Sequence, residues 1–168
     1  PRMITRKYVA GSACETACSG AGMLAIGKMK PLSMKVGRMV AITVDYMHQR
    51  RQFGVPIATF QALRHRIADV KMQLELGRAM SYYASMKLGD PAPQRRRALS
   101  QAKVQLGQSM RYVGQQCVQL HGGIAVTDEY IASHYFKRLT MLELAWGDTM
   151  HHLGEVSARM QDTAGVFA

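Results

Sequence analysis

The stretch from Phe60 to Tyr83 constrains this chain more than any other. Phe60, Leu63, Ile67, Val70 and Leu74 step by three and four, the spacing that lines one face of an α-helix. Ala68, Met72, Leu76, Ala79 and Tyr83 form a second stripe alongside. A helix with two apolar stripes has to be covered on two sides. Gly54 and Pro56 break the chain before it, and "GDPAP" stops it with a glycine and prolines. Such a helix belongs inside a bundle, so the expected fold class is all-α.

The flanking segments carry the same period. Val36, Val40, Thr43 and Met47 predict a helix from Leu32 to "HQRRQFG". Leu99, Ala102, Leu106, Val113, Cys117 and Leu120 predict a third, ending at "HGG". A fourth is expected from Thr127, whose hydroxyl would cap free amides, with Asp128 and Glu129 at its positive end, running to "KRL". Thr140 and Glu143 have capping-box spacing and predict the start of a fifth. Its core stripe would be Leu142, Ala145, Thr149, Leu153, Val156 and Met160. No strand alternation and no repeat is visible. The prediction is an antiparallel bundle of about five helices over residues 32–164. Residues 1–31, interrupted by Gly11, Gly20, Gly22 and Gly27, form a poorly specified N-terminal segment. A chain opening on Pro1 is expected to be a processed or excised piece.

With 168 residues the chain has the length of one ordinary domain. No apolar run approaches the ~20 residues of a membrane span. No targeting segment stands out, so a cytoplasmic location is expected. Cys14, Cys18 and Cys117 make an odd count and read as free thiols in a reducing compartment. The net charge of +11 would suit nucleic acid or a phosphorylated ligand. The basic residues are scattered, with one run at Arg95–Arg97, and no nucleic-acid-binding signature accompanies them.

One suggestive string, "LAWGDTMHH" at Leu144–His152, falls inside the expected fifth helix. On a regular helix Asp148 and His152 would share a face, with His151 about 100° away. That is too few ligands for a closed metal site, so no metal is expected and the histidines read as solvated or capping.

Three motifs stand in order: "RRQFGVPIATFQALRHRIAD" from Arg50, "QLHGGIAVTDEY" from Gln119, and "WGDT" from Trp146. Together they resemble the C-terminal helical domain of the acyl-CoA dehydrogenases, from about Lys35 to Met160. The resemblance implies FAD as cofactor and dehydrogenation of an acyl-CoA thioester between its α and β carbons. It also implies a longer whole protein and assembly as a homo-oligomer or heteromeric subunit, with FAD touched across the subunit interface.

The family's site residues carry over at five positions. Arg50 matches the arginine that meets the FAD pyrophosphate, and a forked guanidinium suits paired phosphate oxygens. Phe53 matches an apolar contact along the cofactor. Gln119 matches a glutamine reaching FAD across the interface. Gly122 and Gly123 match glycines that let backbone approach the pyrophosphate. Singly, these also read as an exposed arginine, a core phenylalanine, a surface amide and a helix cap; jointly, the spacing favours FAD contact. The pattern fails at the chemistry. Where many members carry the catalytic glutamate, this chain has Trp146, which cannot accept a proton. The alternative position, near Leu24, also lacks a carboxylate. Glu143 reads as a capping residue and Asp148 as facing elsewhere, so no catalytic residue is expected. The Gly-Asp-x-x-His-His string resembles a subgroup that pairs with a separate catalytic subunit. A helical assembly module without flavin and a basic nucleic-acid-binding domain are the alternatives.

Overall fold

A computed structural model describes residues 34–160. The expectations for residues 1–31, including the Cys14–Cys18 spacing and the Leu24 neighbourhood, lie outside the described residues. Within them the chain forms α1 (34–49), a short hairpin of β1 (Arg51–Gln52) and β2 (Val55–Pro56), α2 (Gln61–Met86), α3 (Ala92–His121), α4 (Ile131–Leu144) and α5 (Thr149–Ala158). Helices α3 and α4 are bridged by a 3-10 segment, Gly122–Val126.

The periodic residues do what their spacing predicts. Val36, Val40, Thr43 and Met47 of α1 are buried, as are Val70 and Leu74 of α2 and Ala102, Leu106, Val113, Cys117 and Leu120 of α3. Helix α3 is the hub, packed against α2, α4 and α5. Met39, Val70, Met110 and Leu139 bring four helices to one core, each side chain contributing about 1.5–3 kcal/mol on burial. A smaller cluster, Met47, Ile57 and Leu120, lies where the end of α1, the hairpin exit and the end of α3 meet.

Three local expectations are corrected. The first concerns strands. The hairpin is antiparallel, with Arg51 opposite Pro56 and Gln52 opposite Val55. Its turn residues, Phe53 (φ 55°) and Gly54 (φ 80°), are both left-handed, the condition of a type I′ turn. Two-residue strands are too short to show alternation. The second concerns Thr127. It does not cap α4, which starts at Ile131 after Tyr130; its hydroxyl donates to the Ile124 carbonyl and closes the preceding turn.

The third concerns the last two helices. Thr140 and Glu143 form no capping box; α4 runs through both, and the Thr140 hydroxyl donates to the Phe136 carbonyl. The break comes later, at Ala145–Asp148, with Trp146 (φ 60°) and Gly147 (φ 97°) in the left-handed region. Asp148 caps α5, its carboxylate accepting from the His151 amide at 2.8 Å. Leu153 and Met160 of the expected stripe are exposed. The string "WGDTMHH" therefore spans the joint, at Trp146–Asp148, and the first turn of α5. The second stripe of α2 is likewise uncovered: Met72 is 54% exposed and Ala68, Leu76 and Ala79 are exposed with it.

Candidate functional site

The end of the bundle that carries the Met47–Ile57–Leu120 cluster also carries every predicted ligand contact. Arg50 follows the last turn of α1; its amide donates to the Tyr46 carbonyl at 2.8 Å, and its carbonyl accepts from the Ile57 amide at 2.9 Å. That second bond closes the base of the hairpin, so the guanidinium projects from a fixed backbone. Its side chain is exposed, as is that of Gln119. Phe53, at the hairpin tip, is 92% exposed and touches the edge of Phe60 at 6.2 Å between centroids. It is no core residue. An aromatic ring held in a left-handed turn and almost wholly in water is costly twice over, in strain and in exposed apolar area.

Helix α3 ends at His121, and Gly122 turns the chain at φ 70°, ψ −150°. Only glycine occupies that region readily. A Cβ on Gly122 or Gly123 would meet nothing within 4 Å, so the backbone of both faces open space. Thus Arg50, Phe53, Gln119, Gly122 and Gly123 come from three segments gathered at one end: a cation, an aromatic face, an amide and bare backbone. This set suits an anionic ligand with a flat apolar part, with the guanidinium toward the anion and glycine backbone that no Cβ shields beside it. The glycines also end α3, so the cap reading and the ligand reading coexist.

Trp146 lies elsewhere. It is 56% exposed at the α4–α5 joint, and the end of α4 meets α3 at Lys103, about 27 Å along that helix from His121 at ~1.5 Å per residue. Beneath it is a polar cluster that sequence reasoning missed. Lys103 of α3 is buried and donates from Nζ to the carbonyls of Leu142 (3.0 Å) and Glu143 (2.9 Å), the negative end of α4. Glu143, 3% exposed, accepts from the Thr149 hydroxyl at 2.7 Å and the Thr149 amide at 3.3 Å, the positive end of α5. Its other oxygen is 3.8 Å from Arg111. Burial pushes the Lys103 ammonium below its usual range, partly offset by Glu143 and Asp148. A Cβ on Gly107 would collide with the Thr149 hydroxyl, so the small residue lets α5 close onto α3. His152 turns its Nε2 to the Trp146 carbonyl at 3.0 Å, and burial holds its imidazole below the ordinary range. Glu143 is thus no capping-box partner of Thr140 and no exposed base but a buried acceptor at the start of α5, and Asp148 is occupied as the α5 cap. The clue in the sequence was Gly147–Asp148–Thr149, a breaker followed by a good N-cap residue. Among the described residues no three His, Cys, Asp or Glu side chains gather as metal ligands, and no helix is long and apolar enough to cross a membrane.

Residues 31–161 match the sequence model described as "Acyl-CoA dehydrogenase, C-terminal domain". The chain is 37% identical over 101 residues to the acyl-CoA dehydrogenase IpdE2 of Mycobacterium tuberculosis, covering 60% of this chain and 30% of that protein. It is 32% identical over 108 residues to the short-chain-specific acyl-CoA dehydrogenase of Megasphaera elsdenii, covering 64% and 28%. Butyryl-CoA dehydrogenase from Megasphaera elsdenii shares the fold with a TM-score of 0.79 at 24% identity, over 90% of this chain and 39% of that one. The ChsE4–ChsE5 complex from Mycobacterium tuberculosis gives 0.74 at 22% identity, over 81% and 37%. The matched segments span less than a third of these two curated relatives.

Proposed function

Since this chain belongs to the acyl-CoA dehydrogenase family, with residues 31–161 its C-terminal helical domain, we propose that the Arg50–Gly122 end of the bundle holds FAD. Arg50 takes the pyrophosphate, Phe53 lies along the cofactor, and Gln119, Gly122 and Gly123 reach it from the same end of the bundle, across the interface with a neighbouring subunit. When bound, FAD supplies the hydride acceptor for α,β-dehydrogenation of an acyl-CoA thioester by the whole protein. The observation that carries this reading is the gathering of five motif residues from three segments at one end, exposed and on fixed backbone. The residues present fit the cofactor: a cation and open glycine backbone for the pyrophosphate, an exposed ring for the flat apolar part.

The same reading assigns no proton acceptor to this chain. Trp146 stands where the family carries its carboxylate, Glu143 is buried against Thr149, and Asp148 caps α5. A general base is typically worth about 10²–10⁴ in rate, so its place has to be filled from elsewhere. A partner subunit, as the subgroup resemblance of "WGDTMHH" suggests, or the further domains of the whole protein fill it, and the uncovered stripe at Met72 and Leu76 supports an assembling protein. The test is anaerobic mixing of the flavin-reconstituted chain with a panel of acyl-CoA thioesters. No bleaching is expected alone, with bleaching after the partner is added and its loss in Arg50→Ala. Rapid bleaching by this chain alone would overturn the non-catalytic assignment.

A further inference from the structure

His121 is the last residue of α3, between Gln119 and Gly122, and is 4% exposed. Its Nδ1 is 2.8 Å from the Cys117 carbonyl oxygen. A carbonyl only accepts, so Nδ1 carries the proton and Nε2 is a bare lone pair. That Nε2 is buried and has no hydrogen-bond partner. The ring lies 4.6 Å from the Tyr46 ring and 5.2 Å from the Tyr130 ring, and the two tyrosines are 6.2 Å apart. Tyr46 is one turn ahead of Arg50 on α1. Tyr130 precedes α4, beyond the Gly122–Val126 turn. One imidazole therefore ties the ends of α1 and α3, which border the candidate site, to the segment before α4. A phenylalanine would stack there without leaving a buried nitrogen unpaired, so the histidine asks for a reason.

We propose that His121 is a positioning residue that holds the Gly122–Gly123 turn and the Arg50 end in their cofactor-binding arrangement only as the neutral imidazole, so that acidification releases the cofactor. This role presupposes the flavin reading above. Protonation would put a second N–H, with no acceptor, and a positive charge into an aromatic pocket. The groups facing it offer little relief. From α1 comes Tyr46, with Asp45, His48 and Arg50 exposed around it; from the segment before α4 comes Tyr130, with Asp128 and Glu129 exposed. Asp128 is paired with Lys137. On α3 the nearest titratable group is Cys117, whose buried thiol is pushed up to about 11. Burial holds the His121 imidazole below its usual range, against the raising effect of the Cys117 carbonyl.

The sign follows. With its folded value depressed, His121 is neutral in every state above pH ~6.5 and costs nothing there. As pH falls below that, any open form takes up the proton first, and the ordered turn loses ground until the folded form titrates too. The experiment is an FAD titration of the full chain from pH 8 to pH 5, beside His121→Phe. Affinity of the wild type is expected to weaken by up to about tenfold per pH unit below the midpoint, with a flat profile for the variant. The same loss in His121→Phe would overturn the proposal. Imidazole NMR of the wild type covers the case of a misfolded variant. The Nδ1–H tautomer should titrate below ~6.5, with the Gly122 and Gly123 amides moving at the same midpoint. Titration at or above that value, or glycine amides indifferent to it, would overturn the proposal. Amides that titrate as expected, with no flavin bound at any pH, would instead overturn the flavin reading and leave the coupling standing.

Discussion

The hairpin tip and the α4–α5 joint are built alike. Each is an exposed aromatic residue in the left-handed region followed by a glycine at positive φ: Phe53–Gly54 and Trp146–Gly147. They are held in opposite ways. The hairpin is closed by backbone bonds within residues 50–57 and seated on the small apolar cluster of Met47, Ile57 and Leu120. The joint is fixed by buried charge: Lys103 on the end of α4, Glu143 on the start of α5. A local break is set by its own few residues and tolerates change. A joint set by distant polar groups fails when any one of them is left unpaired.

The largest effect should come from the joint. Glu143→Ala strands the Thr149 hydroxyl and amide beneath α5 and leaves Lys103 in the interior with only Asp148 to offset its charge. Urea denaturation should show a loss of about 3 kcal/mol. A loss under ~0.5 kcal/mol would mean that the joint is as locally held as the hairpin. Asp148→Ala removes the α5 cap and the weaker of the two charges that offset Lys103, and should cost about 1 kcal/mol in the same assay. The one tryptophan should report it as a change in Trp146 emission. At the hairpin, Phe53→Asn keeps a residue that tolerates positive φ and removes exposed apolar area, so stability should change by less than ~0.5 kcal/mol. Flavin affinity should nevertheless fall. A stability loss as large as that of Asp148→Ala would show Phe53 to be structural and erase the contrast.

The same contrast explains what could be read before the coordinates. Helices α1, α2 and α3 were legible because Val36, Val70 and Val113 belong to long apolar stripes bounded by glycine or proline, a signal carried within each segment. The Arg50 and Gln119 motifs were legible as a pattern, and the fold places their backbones at one end. The α4–α5 joint was not legible. Thr140 and Glu143 have the spacing of a capping box, and nothing near them in sequence announces Lys103, whose contacts with residues 142 and 143 span the bundle. A cap placed at Thr140, eight residues before the true cap Asp148, puts Trp146 and Asp148 on a helix face that does not exist. The hairpin was missed for a plainer reason: two residues per strand carry no period.

The central claim is that the Arg50 end of this bundle binds FAD through its phosphates. Equilibrium titration of the full chain with FAD at pH 7.5, wild type beside Arg50→Ala, tests it most directly. Saturable binding is expected, weakened about 10–100-fold in the variant, the worth of one charge-assisted contact of about 1.5–3 kcal/mol. Equal affinity of the two proteins for FAD, or no binding by the folded wild type, would contradict it.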